Sequence, residues 1–361
     1  MNILFLSRKF YPDIGGVEKH VLEISKRLTA LGHRVTVISE GKLSDEVLRF
    51  EKASGIKMVK IYAGKSEKKK KIIIWQWLFK HQELIKNADV IHCHDVFYWY
   101  LPFRFLFPKK PVYTTFHGYE SFPIYQKAII VRKISEKLSW GNICIGDFIK
   151  KWYGTKPTFV SYGAVNSFSN VIAGRNDEAI PSSMRLPRSF SVARNDAKRE
   201  SAVFIGRLDE QTGILTYLKA FERLKKRLPN FKFLVIGDGR YRNLVMKKTK
   251  VLGWQKKPEK YFIDYRFAFV SRYLSILEAF ATKRLVFAVF DNPVKEDYLK
   301  LSPFAKFMII EHNAEDLAKS VEEVLDDPQK EKELINYAYN WVKNQTWEDM
   351  TKLYLKLWKV R

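Results

Sequence analysis

Two glycine turns are the places where this sequence could hold a phosphate or a sugar. Gly15 and Gly16 follow the apolar run NILFLS and precede a helix-like segment, and Thr212 and Gly213 occupy the same place after AVFIGRL. Glycine allows close approach to the backbone, and free N–H groups at a helix start attract anions. Arg207 precedes the second turn, and its guanidinium could bind two phosphate oxygens together. We therefore expect diphosphate or sugar binding; a tight structural turn and a surface arginine are the alternatives.

The segments around these turns repeat one plan. Residues 2–39 and 202–239 each run apolar strand, glycine turn, amphipathic helix and apolar strand. A βαβ unit that opens each half of the chain predicts an α/β protein with two Rossmann-like domains, their helix N-termini facing a shared cleft. We expect the domains at 1–165 and 201–344.

Further strands and helices are expected to alternate along both halves, which predicts parallel sheets covered on both faces. The expected strands are Lys57–Tyr62, Ala88–His92, Pro111–Thr115, Gly141–Ile145, Thr158–Val160, Lys260–Ile263, Phe267–Ser271 and Leu285–Phe290. The expected helices are 72–86, 124–139, 275–282, 314–326 and 329–344.

Residues 166–200 interrupt this pattern. The segment lacks apolar periodicity and repeats Arg-Asn-Asp at 175–177 and 194–196. It resembles the translated form of a palindromic genomic repeat inserted in frame; a long polar linker between domains is the alternative. Either origin predicts disorder.

The net charge of +25 indicates an anionic partner, such as a phosphorylated substrate or an anionic lipid. Lys68, Lys69, Lys70 and Lys71 precede the aromatic run IIIWQWLF, a pattern typical of an interfacial membrane anchor and also of a solvated turn before a core helix. Neither zinc-finger spacing nor an RNA-binding aromatic motif occurs, so nucleic acid is not expected. Two cysteines and no evident signal peptide predict a cytoplasmic protein, at most at the inner face of the membrane.

His92 and His94 alternate along an expected strand and therefore share one face, where they could ligate zinc. No third ligand has supporting spacing. We expect no metal and no other cofactor, and these side chains to line an acceptor site or to pack in the core.

Six motifs in order resemble glycosyltransferase family 4. They are YPDIGGVEKHVLEISKRLTALGHRVTVIS, ADVIHCHD, TTFHG, FIGRLDEQTG, LVIGDG and SRYLSILEAFA, and Thr346-Trp347-Glu348 resembles the start of the family's closing helix. The resemblance implies a GT-B fold whose last helix, expected at 345–361, crosses back to the first domain. It also implies transfer of a sugar, with retention of configuration, from a nucleoside-diphosphate donor to a lipid-linked, glycan or other hydroxyl acceptor.

The resemblance also assigns roles to individual residues. His117 would contact the donor sugar near the reacting centre, Arg207 the diphosphate and Glu278 the ribose hydroxyls. A loop of Gly237, Asp238 and Gly239 would line the nucleotide pocket, and Gly15 and Gly16 would meet a phosphate or sugar. A buried structural histidine and a helix-capping glutamate are the alternatives for His117 and Glu278. The acceptor would enter near His117 and the aromatic segment 97–107.

Three positions depart from the family pattern. Thr212 replaces a lysine that assists Arg207, the first glutamate of a paired motif is absent, and Lys283 replaces a glycine. Lys283 or Arg284 could supply the missing charge. Because of these departures, a second hypothesis is that the chain is a catalytically impaired relative that binds a membrane or a partner protein. A third hypothesis is a nucleotide-sugar epimerase of the same fold.

Overall fold

The computed structural model describes residues 1–13, 15–64, 66–166 and 200–359, apart from the side chains of Glu67 and Lys68. The segment 167–199, with its expected disorder, lies outside the described residues. The chain divides into two compact units, Met1–Gly163 with Trp347–Arg361, and Ala164–Thr346. We call them unit 1 and unit 2.

Unit 1 contains a parallel sheet of seven strands in the order β3-β2-β1-β4-β5-β6-β7. The strands are β1 Asn2–Ser7, β2 Arg34–Glu40, β3 Lys57–Ile61, β4 Val90–His94, β5 Val112–Phe116, β6 Gly141–Ile145 and β7 Phe159–Ser161. The central strands β4, β5 and β6 are buried along their whole length because helices cover both faces of the sheet.

The described helices of unit 1 connect these strands and add one element from the end of the chain. They are α1 Gly16–Ala30, α2 Asp45–Ser54, α3 Glu67–Lys80, α4 Glu83–Lys86, α5 Phe97–Leu106, α6 Gln126–Leu138 and α7 Phe148–Tyr153. The closing helix Trp347–Leu357 packs against α1 and belongs to unit 1, which confirms that the chain crosses back.

Unit 2 contains a parallel sheet of six strands in the order β10-β9-β8-β11-β12-β13. The strands are β8 Ser201–Ile205, β9 Lys232–Ile236, β10 Lys250–Val251, β11 Phe267–Phe269, β12 Leu285–Val289 and β13 Ile309–Glu311. The described α-helices are α8 Ile214–Arg227, α9 Arg242–Met246, α10 Tyr273–Ala281, α11 Pro293–Lys300, α12 Ala314–Asp326 and α13 Pro328–Val342, and the closing helix of unit 1 is α14. The predicted fold class, two Rossmann-like α/β domains, is confirmed.

Two predictions of secondary structure in unit 2 are wrong. The expected strand at Lys260–Ile263 is part of a 3-10 helix, Pro258–Asp264, which begins at a proline that cannot donate to a strand. The expected helix start at Ser275 lies too late, because α10 begins at Tyr273, whose N–H donates to the Tyr298 hydroxyl at 2.7 Å. A contact with a distant side chain therefore sets this helix start.

Two predictions in unit 1 also need correction. The expected helix 72–86 is two helices, α3 and α4, separated at His81 and Gln82. The aromatic segment 97–107, expected near an acceptor entrance, forms α5, and Phe97, Trp99, Tyr100 and Phe103 in it are buried core residues. These four of its seven aromatic side chains are thus unavailable to an acceptor.

Candidate functional site

The carboxyl edge of the unit 1 sheet brings together most of the residues predicted in this half. Strand β1 lies between β2 and β4, so the order of connections reverses there, which is where ligands bind in open α/β sheets. Gly15 follows β1 and is the N-cap of α1, Gly16 is the first residue of that helix, and His117 directly follows β5. The structure therefore places these three residues at one edge.

The start of α1 already faces a carboxylate. A Cβ atom built on Gly15 would lie 2.5 Å from Oε2 of Glu18, in the first turn of the helix. An acidic side chain complements the partial positive charge of the helix start and repels a phosphate. Of the two expectations for Gly15 and Gly16, this geometry favours the sugar hydroxyls.

A cluster of four histidines lies beside this edge. Nε2 of the half-buried His117 lies 2.9 Å from Nδ1 of His94, and the rings of His117 and His20 meet edge to face with centroids 4.8 Å apart. The rings of His92 and His94 stack at 5.0 Å, so the two side chains do share a face. Sequence reasoning missed His20, whose position in α1 resembles that of any helix residue.

Trp358, directly after helix α14, fixes the tautomer of one of these rings. The indole Nε1–H of Trp358 donates to Nδ1 of His92 at 3.0 Å, so Nε2 of a neutral His92 carries the proton and donates to the Thr115 hydroxyl at 2.7 Å. The network continues from Thr115 to the Tyr354 hydroxyl at 2.8 Å and from there to Nε2 of His20 at 2.9 Å. The closing helix thus orients the histidine cluster through hydrogen bonds.

All four rings are held neutral. Burial, assisted by neighbouring His92 and Arg132, lowers the pKa of His117 from 6.5 to about 3. Burial likewise lowers the pKa values of His20, His92 and His94 well below the ordinary value. A neutral imidazole can exchange hydrogen bonds with sugar hydroxyls, whereas a base this weak removes a proton poorly near neutral pH.

Acidification should therefore destabilise unit 1. In the unfolded chain these histidines bind a proton near pH 6.5, whereas the folded rings stay neutral. Protonation therefore favours the unfolded chain, and the free energy of unfolding falls as the pH drops below about 6.5. Each ring contributes about 1.4 kcal/mol per pH unit in that range. Urea unfolding followed by tryptophan fluorescence should show a lower free energy of unfolding at pH 5.5 than at pH 7.5.

His94→Gln is the matched variant for this measurement. It removes one titrating ring and should make the loss of stability between the two pH values smaller than in the wild type. Equal stability of the wild type at both pH values would show that the histidines are not held neutral.

Two further residues hold the His117 turn, a role that sequence reasoning assigned to neither of them. Oδ1 of Asp95 accepts the backbone N–H of His117 at 3.0 Å. Arg132, 5% exposed, donates to the Gly118 carbonyl and to Glu120, both at 2.9 Å, and its guanidinium lies 3.7 Å from the Tyr153 ring centroid. Asp95 closes the motif ADVIHCHD, which could have signalled it, whereas Arg132 lies within an ordinary amphipathic helix.

The carboxyl edge of the unit 2 sheet has the same arrangement. Strand β8 lies between β9 and β11, so this sheet also reverses its connections at its first strand. Arg207 follows β8, the loop of Gly237, Asp238 and Gly239 follows β9, and α10, which carries Glu278, follows β11. The predicted donor residues of this unit thus lie on neighbouring connections.

Arg207 projects from this edge into solvent. Its side chain is 60% exposed, with Nε 3.2 Å from Oδ2 of Asp209 and Nη2 donating to Gln211 at 3.2 Å. The partners belong to its own loop and leave the guanidinium exposed. The residue is well placed to meet an anion.

The glycines after β9 lock the two loops together. Gly237 and Gly239 have φ values of +140° and +153°, and a Cβ on Gly237 would lie 1.8 Å from the carbonyl oxygen of Gly206. Backbone bonds from Gly206 N to Ile236 O at 3.1 Å and from Leu208 N to Asp238 O at 2.9 Å join the loops. These glycines therefore shape the Arg207 loop, while the Asp238 carboxylate binds Arg242 at 2.8 Å.

Glu278 lies deeper in its helix than expected. It is the sixth residue of α10, about 7 Å along the helix axis from Tyr273, and is half-buried. The helix-capping alternative for Glu278 is therefore wrong.

Within the described residues, no group of three histidine, cysteine, aspartate or glutamate side chains is arranged to hold a metal ion. No helix in the described ranges is both long and apolar enough to cross a bilayer.

Comparisons with known proteins define the class. Residues 14–156 match the family model described as Glycosyltransferase Family 4, and residues 199–327 match that of Glycosyl transferases group 1. The chain therefore belongs to the glycosyltransferases that these two models describe, family 4 in its first half and group 1 in its second.

Proteins of similar sequence include a mannosyltransferase and a synthase. The phosphatidyl-myo-inositol mannosyltransferase of Mycobacterium tuberculosis is 24% identical over 240 residues, which cover 62% of this chain and 57% of that protein. The chain thus matches little more than half the length of that relative. The alpha-monoglucosyldiacylglycerol synthase of Acholeplasma laidlawii is 24% identical over 302 residues, covering 78% of this chain and 74% of that protein.

Solved structures show the same fold. A glycosyltransferase from Rickettsia africae superposes with a TM-score of 0.71 at 18% identity, covering 99% of this chain and 97% of that one. Anabaena HepE in complex with UDP and glucose superposes with a TM-score of 0.72 at 13% identity, covering 99% and 98%. The fold of this chain is of the GT-B type.

Proposed function

We propose that this protein transfers a sugar from a nucleoside-diphosphate donor to a hydroxyl acceptor with retention of configuration. The observation that carries the proposal is the exposed Arg207 guanidinium at the point where the unit 2 sheet reverses its connections. A cation there stabilises the negative charge that develops on the departing diphosphate. HepE, with the same fold, was solved with UDP and glucose bound, which supports a nucleotide-sugar donor.

The remaining residues take the roles that the family resemblance assigns. Gly237, Asp238 and Gly239 shape the nucleotide loop, Glu278 accepts ribose hydroxyls, and Gly15 and Gly16 meet sugar hydroxyls. His117 contacts the donor sugar as a neutral ring. As the family resemblance implies, the acceptor proton passes to the departing phosphate; a His117 whose pKa burial lowers to about 3 is a weak base that competes poorly for this proton.

A donor panel tests this proposal. UDP-, GDP- and ADP-linked sugars are incubated with the protein and with lipid and glycan acceptors, and donor consumption is followed by mass spectrometry. The anomeric proton signals of donor and product then report whether the configuration is retained. If no donor is consumed, the proposal is contradicted. If a donor is isomerised in a reaction that contains no acceptor, the protein is an epimerase.

A lipid acceptor at a membrane surface is the favoured acceptor class. The names of both relatives include a lipid. Helix α6 exposes Ile130, Val131 and Ile134, and Lys127 and Lys137 are exposed on the same helix. Apolar side chains beside lysines suit insertion into an anionic interface. We place the protein in the cytoplasm, at the inner face of the membrane.

The lysine cluster at the start of α3 contributes less to the proposed membrane contact than the sequence indicates. Nζ of Lys70 lies 3.2 Å from Oε2 of Glu40, and Lys71 lies over the ring of Trp75 at 4.5 Å. Lys69 is exposed, and the Lys68 side chain is not described. The paired Lys70 is therefore removed from the proposed contact, which stays with Lys68, Lys69 and Lys71.

Replacing Ile130 and Ile134 with aspartate should weaken binding to vesicles of phosphatidylglycerol and phosphatidylcholine by at least about tenfold, because two inserted side chains are lost. Co-sedimentation measures the change. Leu244→Asp, an exposed apolar residue of unit 2, is the matched control and should bind like the wild type. Equal sedimentation of all three proteins would reject α6 as the contact.

A further inference from the structure

Because Thr212 replaces the lysine that the family resemblance implies, the carboxyl edge of the unit 2 sheet has one positive charge fewer than expected. The side chain is 3% exposed, and its hydroxyl donates to the carbonyl oxygens of Arg207 at 2.7 Å and of Asp209 at 2.9 Å. Thr212 closes the Arg207 loop and offers nothing to a ligand. A second cation has to come from elsewhere in unit 2 if the diphosphate is to be neutralised as the resemblance implies.

The two basic residues suggested by the sequence lie at the wrong edge. Lys283 and Arg284 precede β12, so they lie at the amino edge of the sheet, opposite Arg207. Nζ of Lys283 lies over the ring of Tyr339 at 4.5 Å, and Arg284 donates to the carbonyl of Ile263 at 3.3 Å. Neither can replace the missing lysine.

Lys295 is a buried amine at the carboxyl edge of the unit 2 sheet. It lies in α11, which follows β12, and is 2% exposed. Its Nζ donates to the carbonyl oxygen of Ser271 and lies over the Tyr298 ring at 4.5 Å, and within the described residues it forms no salt bridge with a carboxylate. A buried amine is costly to charge without an opposite charge beside it, and strongly perturbed ionisable groups of this kind cluster at functional sites.

Lys295 has both basic and acidic side chains in its neighbourhood. Burial lowers its pKa well below the ordinary value, and nearby Arg272 and Arg207 lower it further, whereas Asp291 and Asp209 oppose them. These interactions place Lys295 in the electrostatic neighbourhood of the Arg207 loop. A bound diphosphate would restore the charged form of the amine.

Arg272 is a third basic residue at this edge, and it follows β11, the strand between β8 and β12. It is the N-cap residue of α10, its guanidinium lies 5.6 Å from the Tyr298 ring centroid, and its Nη1 is buried without a hydrogen-bond partner among the described residues. Tyr273 and Tyr298 stack at 3.9 Å with an interplanar angle of 11° and join the start of α10 to the second turn of α11. Strands β8, β11 and β12 are neighbours, so Arg207, Arg272 and Lys295 follow three adjacent strands.

We propose that Arg272 and Lys295 supply the positive charge that Thr212 lacks, so that three basic residues from adjacent strand ends bind the donor diphosphate. The inference rests on the proposed function and names the residues of its donor site. It gives a reason why a lysine without a carboxylate partner among the described residues is buried at this edge. The starts of α10 and α11 direct further partial positive charge to the same edge.

Calorimetric titration with UDP, GDP, ADP and inorganic pyrophosphate tests the inference. Lys295→Met keeps the length of the side chain and removes the charge, and we expect it to weaken binding of the best of these probes about 10- to 100-fold. Arg272→Met should have an effect in the same direction. Lys283→Met is the matched control at the opposite edge and should bind within twofold of the wild type.

Thermal unfolding without ligand separates binding from a structural role. Because Lys295→Met replaces a buried amine that has no carboxylate partner among the described residues with an apolar side chain of similar length, its unfolding temperature should equal or exceed that of the wild type. A lower unfolding temperature for Lys295→Met, together with normal binding by Arg272→Met, would overturn the inference. If Lys295→Met does not fold, Arg272→Met decides alone.

The outcomes also distinguish the two proposals. A wild type that binds none of the four probes contradicts the proposed function itself. Weak binding by Arg207→Ala, with wild-type binding by Lys295→Met and Arg272→Met, would leave that function intact and overturn only the three-residue cluster.

Discussion

Replacing Arg207 with alanine is expected to lower kcat/KM for sugar transfer about 10²- to 10³-fold, the loss typical of removing one donor to a developing negative charge. The loss should be mainly in kcat, since the diphosphate gains charge as the glycosidic bond breaks. The folded state should be unaffected, because this side chain is 60% exposed and pairs only within its own loop. Steady-state kinetics with the best donor from the panel measure the effect.

Arg223→Ala is the matched control for this experiment. Arg223 is half exposed and pairs with Glu315 at 2.8 Å, on α8 rather than in the β8 loop. Its removal should leave kcat/KM within a factor of about two. Comparable kinetics for the Arg207 and Arg223 variants would place the diphosphate elsewhere.

Replacing Trp347 with alanine should destabilise unit 1 by about 3–5 kcal/mol, the usual cost of removing a buried tryptophan. Trp347 is 1% exposed, begins α14 and meets the ring of His20 edge to face at 5.4 Å. The loss should therefore loosen both the closing helix and the histidine cluster. Urea unfolding followed by fluorescence gives the free energy.

Trp254→Ala provides the comparison. Trp254 lies in unit 2 and is 53% exposed, so its replacement should lower the free energy of unfolding by less than about 1 kcal/mol. A Trp347 variant as stable as the Trp254 variant would mean that α14 does not support unit 1.

The sequence predicted the elements whose signals are local. Each βαβ unit has apolar strands, a glycine turn and periodic helix residues, so the sheets and the positions of Gly15, His117 and Arg207 at their carboxyl edges could be anticipated. Elements that depend on distant side chains could not. The start of α10 is set by Tyr298, and this moves Glu278 into the second turn of the helix.

The same limit applies within the sites. The orientation of His92 depends on Trp358, and the support of the His117 turn depends on Arg132, both remote in sequence from the residues they hold. The sequence predicts an available charge at Lys70, whereas in the structure this lysine pairs with Glu40, which is remote in sequence. Lys295 carries no motif, and only the adjacency of β8, β11 and β12 relates it to Arg207.

Hydrogen–deuterium exchange with a saturating nucleoside diphosphate tests the central claim most directly. We predict slower exchange in peptides that cover 204–216, 236–243, 270–279 and 290–297, at the carboxyl edge of the unit 2 sheet. Peptides at the opposite edge, 229–233 and 282–286, should be unchanged. Saturable binding without slower exchange at the carboxyl edge would contradict the assignment of the donor site.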